Sequence, residues 1–114
     1  MIDWTRVAEL KDEIGEEDFA DVVALFLEEV GEVVARLRST PAPDQDPAQL
    51  ERDMHFLKGS ALNLGFGELA RLCAAAEKAA AGGAAVDVAP VLACHDASRA
   101  RFLEESGLAE KGLG

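Results

Sequence analysis

The sequence predicts an all-α protein: an antiparallel four-helix bundle preceded by a short N-terminal lid helix. Ala, Leu and Glu predominate along the chain, and its prolines stand only between 41 and 47 and at position 90. Apolar residues recur at steps of three and four, which indicates helices rather than strands. With 114 residues, 49% of them hydrophobic, the chain is expected to form a single domain over 1–114.

The first half of the chain contains a short helix and a long one. Residues 3–14 form the short helix, which Gly15 closes. Residues 17–38 carry an apolar stripe that predicts a long amphipathic helix. Its members are Phe19, Val22, Val23, Phe26, Leu27, Val30, Val33, Val34 and Leu37. A loop over 39–46 follows, since Pro, Ser, Thr and Asp cluster there.

The third helix has clear start and stop signals. Asp46 suits the N-cap and Pro47 the first helical position, and Gln49 stands where it would complete a capping box. Gly65 is the expected C-cap. Between them runs an apolar stripe at three-four spacing, formed by Leu50, Met54, Leu57, Ala61 and Leu64.

Two further helices complete the bundle. The fourth spans about 67–81 and ends at a pair of glycines. The fifth begins near Asp87 as N-cap, accommodates Pro90 in its first turn and runs to about Ser106. The tail over 107–114 is expected to fray.

Charge and composition exclude several classes of function. The 22 acidic and 11 basic residues give a net charge of −11, which argues against nucleic acid and anionic membrane surfaces as partners. No signal peptide and no apolar run of membrane-spanning length is visible. Cys73 and Cys94 lack metal-binding spacing and suit a reducing compartment, so a cytoplasmic location without metal or cofactor is expected. The acidic first third is interpreted as a solvated surface, or else as a device that repels wrong partners.

One helix face carries residues that its packing does not explain. At about 100° per residue, His55 lies roughly 140° from the centre of the third helix's apolar stripe, on the outer side. Lys58, Gly59 and Leu62 fall on the same face. A glycine inside a helix costs about 1 kcal/mol relative to alanine, so Gly59 is expected to admit something close to the backbone.

These residue types suit phosphoryl chemistry. A neutral imidazole dominates near pH 7, so a ring nitrogen of His55 is free to act as nucleophile. Lys58, one turn away, would stabilise an anion attached to that ring, and a phosphoryl group carries a charge of about −2. The alternative is a solvated His and Lys beside an accidental glycine.

The segment from His55 to Gly65, HFLKGSALNLG, closely resembles the signature of histidine-containing phosphotransfer (HPt) domains. The similarity continues in the pattern L-x-x-L-C-x-x-x-E from Leu69 to Glu77. The opening residues 2–4 and the junction at 15–19 also resemble the start of such domains, so the resemblance covers nearly the whole chain.

The resemblance implies a phosphorelay intermediate. His55 would accept a phosphoryl group from a receiver-domain aspartate or a histidine kinase and transfer it to a response regulator. Lys58 would neutralise the phosphoryl oxygens, and Gly59 would admit the receiver's active-site loops. Leu62 and Arg52 are the expected docking residues. Such a protein is a phosphocarrier without its own nucleotide site, not an enzyme, and no cofactor is implied.

Family members often carry a Gln or Glu 22 residues after the histidine, which corresponds to Glu77 here. The resemblance implies that its carboxylate bonds the imidazole or the phosphoryl group. A carboxylate on Nδ1–H would leave Nε2 nucleophilic. The alternative is an exposed helix acid near Lys78. Some relatives carry a second basic residue where Ala81 stands, so charge compensation would fall mainly to Lys58, with Arg52 near the same face.

Other candidates are weaker. His95 is expected on or beside the core-facing side of the last helix and lacks Lys and Gly neighbours. A di-iron bundle needs Glu-x-x-His units, and Arg52 stands where that Glu would be.

Two rival functions stay open. One is a non-catalytic helical adaptor that binds through Leu62 and the lid helix. The other is the phosphoacceptor domain of a chemotaxis-type histidine kinase, which Glu77 would suit, although such a domain is normally joined to kinase domains and this sequence ends at Gly114.

Overall fold

Residues 2–41 and 44–108 are described by the computed structural model, and over these ranges the protein is all-helical, with five α-helices and no strand. The helices are α1 (Trp4–Ile14), α2 (Glu16–Ser39), α3 (Pro47–Leu64), α4 (Gly67–Ala81) and α5 (Ala89–Ser106). The predicted all-α class is confirmed, and the predicted bounds lie close to the observed ones.

The apolar stripes of the helices meet in one core. All five members of the predicted α3 stripe are buried, from Leu50 to Leu64. The most extensive helix contact joins α3 to α4, and α4 also contacts α5. Burying one large aliphatic side chain contributes about 1.5–3 kcal/mol, so this contact fixes the relative position of α3 and α4. Side chains on the outer flanks of these two helices are thereby held at a constant separation.

Helix α1 is fastened to the end of α3. The Asp3 carboxylate caps α1 by accepting hydrogen bonds from Thr5 and Arg6, while its backbone N–H donates to the Gly65 carbonyl over 2.7 Å. Gly65 has φ +76°, and a Cβ there would lie 2.5 Å from the Asp3 carbonyl oxygen. Glycine is therefore required both by the left-handed backbone and by the close approach of the chain.

The start of α3 differs in one respect from the prediction. Asp46 caps the helix by accepting from the Ala48 N–H, with Pro47 in the first turn, as predicted. The predicted capping box is wrong, because the Gln49 amide does not reach back to Asp46 but donates to Oδ1 of Asp53 over 2.9 Å. Asp53 is a buried carboxylate, and a buried charge requires donors more than an exposed helix end does.

Leu108, two residues after α5, is more ordered than predicted. Helix α5 begins at Ala89, whose N–H donates to the Asp87 side chain over 3.0 Å. The predicted fraying is wrong at Leu108, which is buried in the core because its apolar side chain gains by leaving water. The rest of that predicted segment, 109–114, lies outside the described residues.

No helix in the described part of the chain is both long enough and apolar enough to cross a membrane.

Candidate functional site

The imidazole of His55 projects outward from the middle of α3. Its side chain is 71% exposed, whereas Met54 and Leu57 beside it are almost completely buried. The orientation follows from the helical repeat, which turns the apolar stripe inward and leaves His55 on the opposite side. A side chain in this position is open to a large partner.

Glu77 on α4 contacts both His55 and Lys58, two of the predicted site residues on α3. Its Oε2 lies 2.8 Å from Nδ1 of His55, and its Oε1 lies 2.7 Å from Nζ of Lys58. Because a carboxylate only accepts hydrogen bonds, Nδ1 is the donor, and Nε2 then carries the lone pair. The tight packing of α3 against α4 sets this geometry.

The Glu77 carboxylate is kept ionised by its neighbours. The hydrogen bond from Lys58 is the main cause that lowers the pKa of Glu77, and the bond from His55 lowers it further. Partial burial works in the opposite direction but is outweighed. Glu77 and Lys58 therefore form a compact ion pair whose negative end is directed at the imidazole.

The surface next to His55 combines open space with apolar side chains. A Cβ added to Gly59 would have nothing within 4 Å, so this glycine fills no packing requirement inside the chain. Leu62 is 55% exposed. Phe56 is also more than one-third exposed. Its exposure was not predicted, because periodicity along α3 alone does not show whether another helix covers its side chain.

A shallow groove runs beside the imidazole. It is lined by Glu51, Arg52, His55, Phe56 and Glu77. The guanidinium of Arg52 donates to Oε1 of Gln49, one turn earlier on α3, over 2.9 Å. Arg52 is thus near His55, as predicted, and it is held at rest by an uncharged acceptor.

A second polar cluster lies on the other side of α3. Asp53 is buried and is paired with Arg36 of α2, and it also accepts from Gln49. This cluster is not predictable from the sequence, since nothing in the local pattern around Asp53 indicates a partner 17 residues earlier. The signal that the sequence does offer is a charged residue, Asp53, next to the apolar stripe of α3.

His95 occupies a different environment from His55. It is buried on α5, as predicted, with Nδ1 2.9 Å from Oδ1 of Asp96, and Nε2 has no hydrogen-bond partner among the described residues. The hydrogen bond from His95 is the main cause that lowers the pKa of Asp96. No group of three or more potential metal ligands occurs in the described ranges.

The family model of the Hpt domain matches residues 21–105, which is most of the chain. The match includes all of α3 and α4, and with them His55, Lys58, Gly59 and Glu77. Neither curated proteins nor solved structures gave a match. The chain belongs to the Hpt domain family. The resemblance inferred from the motif around His55 is therefore confirmed.

Family membership gives the general function. Hpt domains take part in histidine phosphotransfer in two-component signalling, with kinases and response regulators as partners. They are phosphocarriers rather than classical enzymes.

Proposed function

We propose that this protein is a phosphorelay intermediate whose phosphoacceptor is His55. It receives the phosphoryl group from a receiver-domain aspartate or a sensor histidine kinase and passes it to a response regulator. The observation that carries the assignment is the 2.8 Å contact between Glu77 and Nδ1 of an imidazole that is otherwise open to solvent. His95 is buried and cannot meet a partner's active site.

Nε2 of His55 is the proposed nucleophile. Its lone pair attacks the phosphorus of the aspartyl phosphate, the N–P bond forms, and the bond from phosphorus to the aspartate oxygen breaks as the carboxylate leaves. The proton stays on Nδ1, and the positive charge that develops on the ring faces the Glu77 carboxylate. Delivery to the response regulator is the same exchange in reverse.

Lys58 is the proposed cation for the phosphoryl oxygens. At rest it is bonded to Glu77, one turn of α3 beyond His55, so it needs only a change of side-chain rotamer to reach them. An ionised donor directed at oxygens that gain charge stabilises the transition state.

Gly59, Leu62 and Arg52 form the proposed docking surface. Open space at Gly59 lets a receiver loop approach the helix backbone beside His55. Leu62 supplies exposed apolar area for that contact, and Arg52 supplies charge at the groove. Arginine is enriched at protein–protein interfaces, and the core of such an interface is apolar.

The proposed architecture is a single domain over 1–114, in which α2 to α5 form an antiparallel bundle and α1 is the lid. Its core runs through all five helices, which supports one folding unit. The domain is proposed to lack a nucleotide site of its own. A reducing, cytoplasmic location is supported by the two free thiols, Cys73 and Cys94.

The phosphoacceptor domain of a chemotaxis-type histidine kinase is the second candidate. The bridging carboxylate of Glu77 also supports this candidate, because a proton held on Nδ1 suits attack on ATP bound to a kinase domain as well. In that case phosphorylation requires a kinase and ATP, and charged receivers alone leave the protein unlabelled.

The decisive experiment is incubation of the protein with acetyl-phosphate-charged receivers and, separately, with sensor kinases and ATP. Acid-labile, base-stable phosphate on wild-type protein, absent from His55→Gln, is the expected result. A protein that binds its partner through Leu62 and α1 yet takes no phosphate from either source would instead be a non-catalytic adaptor.

A further inference from the structure

The charges around His55 do not balance once a phosphoryl group is attached. Lys58 and Glu77 are bonded to each other and together contribute no net charge. A phosphoryl group adds a charge of about −2 beside them. Glu51, which lines the same groove, adds another carboxylate. Even if the positive ring compensates Glu77 and Lys58 turns to the phosphoryl oxygens, one unit of the phosphoryl charge and the Glu51 carboxylate are left over.

Arg52 is the cation among the residues that line this groove. It precedes His55 by three residues on α3, and side chains at that spacing have Cβ atoms about 5–6 Å apart. Helical side chains lean toward the N-terminus, so the His55 ring leans over the turn that carries Arg52. Lys58 lies three residues after His55, on the other side of the ring.

The resting partner of Arg52 is a weak one. Its guanidinium donates to the neutral carbonyl oxygen of Gln49, and the side chain remains exposed. A phosphoryl group offers this guanidinium ionised oxygens that it can bond bidentately, whereas Gln49 offers one neutral oxygen. The guanidinium therefore gains by exchanging Gln49 for the phosphoryl group.

We propose that Arg52 is the second cation of the phosphorylated site, leaving Gln49 to bond the phosphoryl oxygens on His55. This inference rests on the proposed function and assigns Arg52 a contact beyond partner docking. It also ties phosphorylation to α2, because Gln49 donates to the buried Asp53, which is paired with Arg36. When Arg52 departs, the Gln49 amide loses one of its two side-chain contacts and its signal changes.

The test uses the protein without any partner, so that docking does not contribute. Phosphoramidate, a small phosphodonor, phosphorylates wild-type protein, Arg52→Gln and Arg52→Lys. The control is Arg101→Gln, which removes the same charge from an exposed residue on α5. The 31P signal of the phosphohistidine is then titrated with pH at low and at high salt. Side-chain 15N signals of Gln49 and Arg52 are recorded before and after phosphorylation.

A nearby cation favours the dianionic phosphoryl group, so its removal raises the titration midpoint. We expect a higher midpoint in Arg52→Gln, partial recovery in Arg52→Lys, no change in Arg101→Gln, and a smaller difference at high salt. In wild-type protein the Gln49 and Arg52 signals should move together on phosphorylation.

Two results would overturn the proposal while leaving the proposed function intact. One is a 31P midpoint in Arg52→Gln equal to that of wild type. The other is a set of Gln49 and Arg52 signals that phosphorylation does not change. Failure of wild-type protein to form phosphohistidine at His55 with any donor would overturn the proposed function and this inference together.

Discussion

The Oε2 atom of Glu77 lies 2.8 Å from Nδ1 of His55, across the contact between α4 and α3. The same carboxylate holds Lys58 with its other oxygen. One residue of α4 thereby orients both the proposed nucleophile and the proposed counter-charge on α3. Each of these three side chains can be altered separately, because none of them belongs to the apolar core.

Replacing His55 with Gln should abolish phosphorylation and leave the fold intact. The side chain is mostly exposed, so it contributes little packing, but it is the proposed acceptor. Labelling with a charged receiver and circular dichroism of the same sample measure both effects. Acid-labile phosphate retained in this variant, with His95 unchanged, would move the site elsewhere.

Replacing Lys58 with Ala should slow transfer by about 10–100-fold, equivalent to about 1.4–3 kcal/mol, because it removes the cation nearest to the developing charge. Stopped-flow or quench kinetics with one receiver provide the measurement. Lys78→Ala removes an equal charge from the exposed side of α4 and serves as the control. Equal rates for Lys58→Ala and wild type would assign the neutralising role to another group.

Replacing Glu77 with Gln should lower stability at neutral pH and have less effect in acid. The lowered pKa of Glu77 means that its carboxylate stabilises the fold above the ordinary glutamate pKa of 4.5, and that this stabilisation is lost as the pH falls through the lowered value. Thermal unfolding of both proteins at several pH values from neutral to strongly acidic tests the sign. A difference that grows toward low pH would contradict it.

Replacing Gly59 with Gln should slow phosphotransfer and leave the melting temperature no lower. A straight-chain residue is a better helix former than glycine, and the position has open space inside the chain. Gly31→Gln makes the same change on α2, also in open space, and should leave transfer unaffected. Normal transfer by Gly59→Gln would remove the docking role, and a large drop in melting temperature would mean that position 59 packs against the protein.

Replacing Gly65 with Ala should destabilise the protein more than the same change at Gly107. Both glycines have φ near +77°, where a Cβ costs roughly 1–2 kcal/mol. Only at Gly65 would the new atom also meet a backbone oxygen, that of Asp3, whereas nothing lies within 4 Å at Gly107. Urea unfolding of the two variants gives the difference in the free energy of unfolding directly. Equal losses of that free energy would show that the backbone at Asp3 moves away from the new Cβ at little cost.

Helical periodicity was sufficient to predict which side of α3 is buried. It placed Leu57 and Ala61 inside and His55 and Gly59 outside, because both facts follow from one repeat of about 3.6 residues. The contact between Glu77 and His55 could not be obtained in this way. It depends on how α3 and α4 lie against each other, and only the spacing typical of the HPt family indicated it.

Asp53 shows a different limit of prediction from sequence. Asp53 lies beside the apolar stripe, where a charge is unfavourable unless it is paired. Arg36 of α2 forms that ion pair, and the loop between α2 and α3 separates the two residues along the chain. A partner at such a distance along the chain has no local signature. Leu108 is similar, since the core that covers it is formed by residues far from it in sequence.

The stacking of Trp4 on Phe102 gives the protein a built-in optical reporter. The two rings are nearly parallel, with centroids 5.7 Å apart, and they join α1 to α5. The chain has one tryptophan and no tyrosine, so its intrinsic fluorescence comes almost entirely from this contact. Release of α1 alone would change the emission while the far-ultraviolet dichroism of the other helices stays nearly constant. Opening of this end of the molecule can therefore be timed separately from global unfolding, without any added label.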